Sequence, residues 1–261
     1  MIGALEARLV FGRPTRIRPL APGPHAGRYA VASHSIARAD GATLEGWSAR
    51  PLDGPTEGVL LYFGGRNENV AWAADMASFN RGFAVYAFNY RGFGASTGRS
   101  SEQRAKRDAR AIHDFVARRE SMSRVAVAGR SLGTALALWL ARETQPDRLV
   151  LMSPFESVPD VVRTRPLGWA VAGLMTQRFA CAGPAAGFAG EALVLLAATD
   201  RSIAHEQSLR LCARLPKRPT VQIIDGSTHR SLPRSPGAQA AIAAFLGRPA
   251  QGASTLIPRS A

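Results

Sequence analysis

Six short, almost uninterrupted apolar runs recur along this chain with helix-length stretches between them, and that alternation leaves few folds open. The runs are Val59–Phe63, Phe83–Phe88, Arg124–Ala128, Arg148–Met152, Leu193–Ala197 and Thr220–Ile224. A strand covered on both faces needs no polar alternation, so such runs read as parallel strands buried between helical layers. Ser101–Arg119 places Ala105, Ala109, Ile112 and Val116 on one helical face with arginines opposite, and Leu132–Glu143 is apolar nearly all round. Ala204–Leu215 and Pro236–Leu246 complete the helices, while Tyr29–Ala37 and Thr43–Ala49 flank Ala39-Asp40-Gly41 as an opening hairpin. The expected architecture is α/β: a mostly parallel, doubly wound sheet of about eight strands with an N-terminal hairpin.

The chain's 261 residues suit one such domain. Residues 1–27, rich in Arg, Pro and Gly, read as a segment wrapping the surface, 28–247 as the domain, and 248–261 as a flexible tail. Between Ser153 and Glu191 the rhythm breaks. That stretch is too long for an ordinary βα connection and predicts a short lid over about residues 154–190. Glu6 and Arg8 interrupt the first apolar stretch, which argues against a signal peptide. The longest apolar candidate, Leu167–Met175, falls well short of the ~20 residues that span a bilayer.

Lys and Arg outnumber Asp and Glu by 33 to 19, a formal net charge of +14. The excess is almost all arginine, scattered along the chain and mixed with Glu102, Asp108 and Asp114 on one helix, without any nucleic-acid-binding motif. A solvated basic surface is the reading, with no nucleic-acid partner expected and attraction to acidic membranes or anionic substrates as the alternative. Two cysteines, Cys181 and Cys212, make neither a disulfide framework nor a cysteine-type zinc site, so a reduced, cytoplasmic protein without metal or cofactor is expected.

The chemistry concentrates in Gly129-Arg130-Ser131-Leu132-Gly133, which follows a buried strand and opens a buried helix. A sharp strand-to-helix turn lifts the serine hydroxyl above the sheet, and the Leu132 N–H then points at an oxyanion forming there. A serine needs a base. Of five histidines, His229 follows the last strand at the sheet end where Ser131 should lie, with His205 as the alternative. Asp200 ends the preceding strand and would orient the imidazole, with Glu156 and Asp160 as fallback acids. The loop Gly64-Gly65-Arg66-Asn67-Glu68-Asn69 is the source of a second oxyanion donor, for which Arg66 N–H is the candidate.

These pieces, with Asn89-Tyr90-Arg91-Gly92-Phe93-Gly94-Ala95-Ser96, run in an order that resembles the serine branch of the α/β-hydrolase superfamily, closest to short-capped serine aminopeptidase-like and acyl-thioesterase-like hydrolases. The resemblance spans about residues 27–247 and implies a catalytic Ser131, Asp200 and His229 acting on a small acyl substrate, an ester or thioester, through an acyl-enzyme. An amide hydrolase or a non-catalytic binding protein of the same fold is the alternative. Gly64 stands where the family usually has His, which is expected to loosen the oxyanion loop, and Asn89 replaces a common Asp, which alters loop support. Many relatives carry an N-terminal membrane anchor; none is read here, which leaves peripheral membrane contact as the remaining membrane option. Phe155, Trp169, Met175 and Phe179 of the lid are the substrate-pocket candidates, with packing of the lid onto the body as their alternative role.

Overall fold

The computed structural model describes residues 2–13, 26–52, 54–80 and 82–248. The apolar runs become strands of one sheet. The hairpin consists of β1 (Tyr29–Ala37) and β2 (Thr43–Pro51), and the parallel strands are β3 (Gly58–Phe63), β4 (Phe83–Phe88), β5 (Val125–Arg130), β6 (Arg148–Met152), β7 (Glu191–Thr199) and β8 (Thr220–Thr228). Their order is β1-β2-β4-β3-β5-β6-β7-β8, with β2 antiparallel to both of its neighbours. Every residue of β3, β4 and β5 is buried, which is why those runs show no polar alternation.

Successive side chains of a strand point to opposite faces, and each face meets its own helical layer. Val59, Leu61 and Phe63 join the core that holds α1 (Ile2–Phe11), α2 (Glu102–Ala117), α3 (Leu132–Thr144) and α7 (His205–Cys212). Leu60 and Tyr62 face the other core, built from the 3-10 segment Val70–Ser78 and α8 (Pro236–Leu246). Ser101 starts α2 by accepting a hydrogen bond from the Arg104 N–H, and Gln145 ends α3 in the left-handed conformation.

The interruption between β6 and β7 folds as three short helices, α4 (Val158–Arg163), α5 (Gly168–Ala172) and α6 (Ala182–Ala186). The first residues differ from a segment merely wrapping the surface: Ile2–Phe11 is a helix, and Phe11 is fully buried with its ring edge-on to Tyr90 and Phe179. Burying such a side chain is worth roughly 1.5–3 kcal/mol. Glu6 on the same helix accepts hydrogen bonds from the backbone N–H groups of Thr176 and Gln177 at 2.6 and 2.7 Å and from the Thr176 hydroxyl. Burial pushes the Glu6 carboxyl up, but these donors outweigh it and hold it below its ordinary range. Residues 14–25, His25 among them, and 249–261, nearly all of the expected tail, lie outside the described residues.

Candidate active site

Ser131 occupies the turn between β5 and α3 with φ 49° and ψ −119°, a conformation a non-glycine residue rarely adopts. Its N–H bonds the Met152 carbonyl at 2.9 Å, and its carbonyl accepts from Thr134 N–H and hydroxyl. Both flanking glycines answer to sterics. A Cβ on Gly129 would come within 2.4 Å of the Gly133 carbonyl oxygen, and one on Gly133 within 2.1 Å of that of Phe63. The turn closes, and α3 lies against the end of β3, because neither position carries a side chain.

At the same end of the sheet, β7 and β8 deliver Asp200 and His229, with Thr199 paired to Thr228 just before them. Asp200 Oδ2 accepts from His229 Nδ1 at 2.8 Å, while Oδ1 accepts the N–H groups of Ser202 and Ile203 at 2.8 and 2.9 Å. Burial raises the Asp200 carboxyl, but the bonds from His229 and Ile203, the His229 charge and the neighbouring Ser153 hydroxyl together bring it down to about 2. The carboxylate therefore stays ionised at neutral pH and holds the His229 ring by Nδ1, which leaves Nε2 outside that contact. Among the described residues no hydrogen bond joins the Ser131 hydroxyl to that ring, so the pair present is carboxylate and imidazole, with the hydroxyl at the end of β5, which β6 separates from β7.

The other histidines and acids named from the sequence are engaged elsewhere. His205 Nε2 bonds the Ala197 carbonyl, His34 bonds the Ser48 hydroxyl, and His113 contacts Asp114. Glu156 pairs with Arg210, and Asp160 with Arg163 and Ser157.

The loop after β3 is held by a group that sequence reasoning passed over. Glu68 accepts from the Tyr62 hydroxyl (2.7 Å) and Trp72 Nε1 (2.8 Å) on one oxygen, and from Gly65 N–H (2.6 Å) and Arg130 Nη1 (2.7 Å) on the other. Arg130 Nη2 goes on to donate to the His229 carbonyl at 2.9 Å. One buried ion pair thus ties together the glycine loop, the residue before Ser131 and the backbone of His229. The loosening expected from Gly64 is met by this pair and by the Tyr90 hydroxyl, which bonds the Gly64 carbonyl at 2.6 Å. Asn89 supports the loop as well, accepting from Val70 N–H and donating to Glu45. Among the described residues neither the Arg66 nor the Leu132 backbone N–H is engaged in a hydrogen bond. The Arg66 side chain turns away to α1, where its Nε donates to the Leu9 carbonyl at 2.9 Å.

A cavity of about 330 Å³ opens beside Ser131 and Leu132, within the range of small-ligand sites. Phe155, Ile203, Leu9 and Val10 line it, together with Val158, Val161 and Val162 of α4; Arg66 and Arg165 supply its charge. The His229 ring stands outside this lining. Of the four pocket candidates from the lid, Phe155 alone lines the cavity. Met175 and Phe179 are buried in the core on the α1 side, because they fasten the insertion to the body, and Trp169 points outward at 72% exposure. The α4 valines were legible at i, i+3, i+4 spacing in Val158-Pro-Asp-Val161-Val162, and the α1 contribution was not. Among the described residues no group of three or more His, Cys, Asp or Glu side chains could hold a metal ion, and no helix is long and apolar enough to cross a membrane.

Residues 54–182 match the family model described as serine aminopeptidase, S33 (Hydrolase_4), a span that contains the glycine loop and the serine turn and stops before Asp200 and His229. Rv2307c of Mycobacterium tuberculosis, an uncharacterized protein, is 36% identical over 126 residues, 47% of this chain and 45% of its own length. The lysophosphatidylserine lipase ABHD12 of Xenopus tropicalis is 38% identical over 90 residues, 33% of this chain and 23% of that protein. The chain thus spans less than half the length of the curated relatives it matches. Among solved structures, the Pyrococcus furiosus esterase Pf2001 superposes with a TM-score of 0.70 at 16% identity, covering 90% of this chain and 96% of that one. An acetyl xylan esterase from Paenibacillus sp. R4 gives 0.67 at 20% identity over 89% of this chain and 86% of its own. With the fold shared along nearly its whole length and the sequence match running through its serine turn, this chain has the α/β-hydrolase fold and is similar over residues 54–182 to the serine aminopeptidase, S33 family.

Proposed function

We propose that the protein hydrolyses carboxylic esters or thioesters through an acyl-enzyme formed on Ser131. The observation that carries this reading is the Asp200–His229 pair, at 2.8 Å, at the same sheet end as the strained serine turn. In the proposed reaction the Ser131 oxygen attacks the substrate carbonyl carbon and His229 Nε2 takes the hydroxyl proton. Asp200 holds the ring and stabilises the imidazolium as it forms. The carbonyl electrons move to oxygen, which the Leu132 and Arg66 N–H groups receive; losing one such donor typically costs ~10²–10³ in turnover. Collapse expels the leaving group, protonated from His229, and a water activated by the same ring then releases the acid and restores Ser131.

The cavity also supports an ester over a peptide. An aminopeptidase must hold a free α-ammonium, whereas the lining carries Arg66 and Arg165 and no carboxylate. Lipase and esterase names among the relatives and neighbours point the same way. The cytoplasm is the compartment proposed, in keeping with two free thiols, Cys181 and Cys212.

A fluorophosphonate probe and a p-nitrophenyl ester series of increasing acyl length test the proposal. The wild type should label and turn over short to medium esters, and Ser131→Ala should do neither while keeping its far-UV circular dichroism. Undiminished labelling of that variant overturns the assignment. Faster cleavage of aminoacyl p-nitroanilides than of esters would move the substrate class to amides.

A further inference from the structure

Half of the large apolar side chains exposed among the described residues gather on α1 and residues 167–174: Leu5, Leu9, Leu167, Trp169, Val171 and Leu174, from 42% to 82% exposed. The rest are Val221 and Ile223 on the edge strand β8 and four residues spread over other elements. Three contacts bring the two segments together. Glu6, between Leu5 and Leu9, bonds the backbone of Thr176 and Gln177, just beyond Leu174. Leu9 lines the cavity together with Val161 and Val162 of α4. Helix α5 crosses α4 so closely that a Cβ on Gly168 would meet the Val162 carbonyl oxygen at 1.8 Å. Leu9 thus lines the cavity, and the other five lie on segments fastened beside it.

Among the described residues the exposed charge around them is mostly positive. Arg8, Arg66, Arg163, Arg165 and Arg178 are exposed on the same segments or at the mouth. The carboxylates nearby are taken: Glu6 by the backbone of 176–177, and Asp160 by Arg163. We infer that this face docks the protein on an anionic lipid bilayer, with Leu174 and Trp169 entering the interface and the arginines meeting the headgroups. A tryptophan with aliphatic neighbours and a cationic rim suits that boundary. A second copy suits it less, because a two-fold contact would set these arginines against their own equivalents on a chain of net charge +14. Docked this way, the cavity mouth opens toward the lipid surface. That consequence rests on the proposed esterase reading, whereas the docking itself does not.

The test is co-sedimentation of the full chain with vesicles of phosphatidylcholine alone and with about 30% phosphatidylglycerol. The wild type should bind the anionic vesicles and leave the neutral ones mostly unbound, and Leu174→Asp should bind at least about tenfold more weakly. Brominated acyl chains should quench the wild-type tryptophan fluorescence, and Trp169→Phe should remove that quenching while still sedimenting. Equal binding of wild type and Leu174→Asp overturns the inference, as does binding without quenching, which would leave charge alone as the attraction. Self-association abolished by Leu174→Asp, without any vesicle binding, would give the face to a second copy instead. Fluorophosphonate labelling of Leu174→Asp in vesicle-free buffer should match the wild type, so a failed docking face and a failed esterase assignment remain distinguishable.

Discussion

The two sides of the cavity are built on opposite principles. Around Ser131, polar groups are buried and bonded two to four times each: Glu68 has four donors, Asp200 has three, and Arg130 reaches both Glu68 and the His229 backbone. Across the mouth, the α5 region and α1 leave large apolar side chains in water and are held by a few anchors, among them Glu6, Phe11 and Phe179. The first arrangement suits a site whose geometry must not drift, because buried polar groups held by several hydrogen bonds each have few alternative positions. The second suits a surface that meets something outside the protein, since its side chains keep contact area in reserve. The difference shows that position around one cavity does not dictate one kind of wall; the task of each wall does.

Substitutions that attack the polar side should do the most damage. His229→Ala and Asp200→Asn are expected to lower kcat by about 10⁴-fold on a soluble ester, the scale on which triad members act elsewhere, with KM changed far less. A rise confined to KM, with kcat kept, would show that the pair only binds substrate. Next comes the ion pair. Glu68→Ala leaves the Arg130 guanidinium buried without its acid, which should cost about 3–5 kcal/mol of stability in urea unfolding and slow turnover with it. The double change Glu68→Gln with Arg130→Met should recover most of that stability. If its turnover recovers equally, the pair serves stability alone and does not position the glycine loop and His229.

Asp200 offers a pH test of smaller size. Its carboxyl lies near 2 in the folded protein against 3.8 for a free side chain, a difference of order 2 kcal/mol. A depressed acid stabilises the fold fully above the unfolded value and loses that contribution as pH falls through the folded one. The stability gap between wild type and Asp200→Asn, read by urea unfolding, should therefore be constant above about pH 5 and shrink steadily toward pH 2. A gap that does not vary with pH would detach the Asp200 contribution from its charge.

On the apolar side the effects should be modest. Val162→Phe reduces the cavity and should shift ester preference toward shorter acyl chains, by about tenfold per step in kcat/KM at most. Leu174→Ser should leave the fold within ~0.5 kcal/mol of wild type, because the side chain is 82% exposed. A loss of several kcal/mol there would erase the contrast between the two walls.

What could be read from the residues alone was whatever depends on neighbours along the chain. Buried parallel strands announce themselves as continuous apolar runs, and six of the eight strands followed from that pattern, the opening hairpin from its turn residues. Gly129-x-Ser131-x-Gly133 was legible as a turn as well, although only Gly129 is required by the turn itself, at the Gly133 carbonyl, while Gly133 answers to the Phe63 carbonyl of β3. Tertiary structure alone decided which side chains meet across long separations. Glu68 and Arg130 are 62 residues apart and Arg130 and His229 are 99 apart, and an arginine-rich sequence offers many equivalent partners for any acid. The same holds for Ile2–Phe11, whose place beside the cavity depends on a buried phenylalanine finding Phe179 and Tyr90. For Trp169 and Phe179, equally apolar in sequence, one became surface and the other core. The cause is packing: a short insertion has two sides, and only the one resting on the sheet's helical layer can be buried.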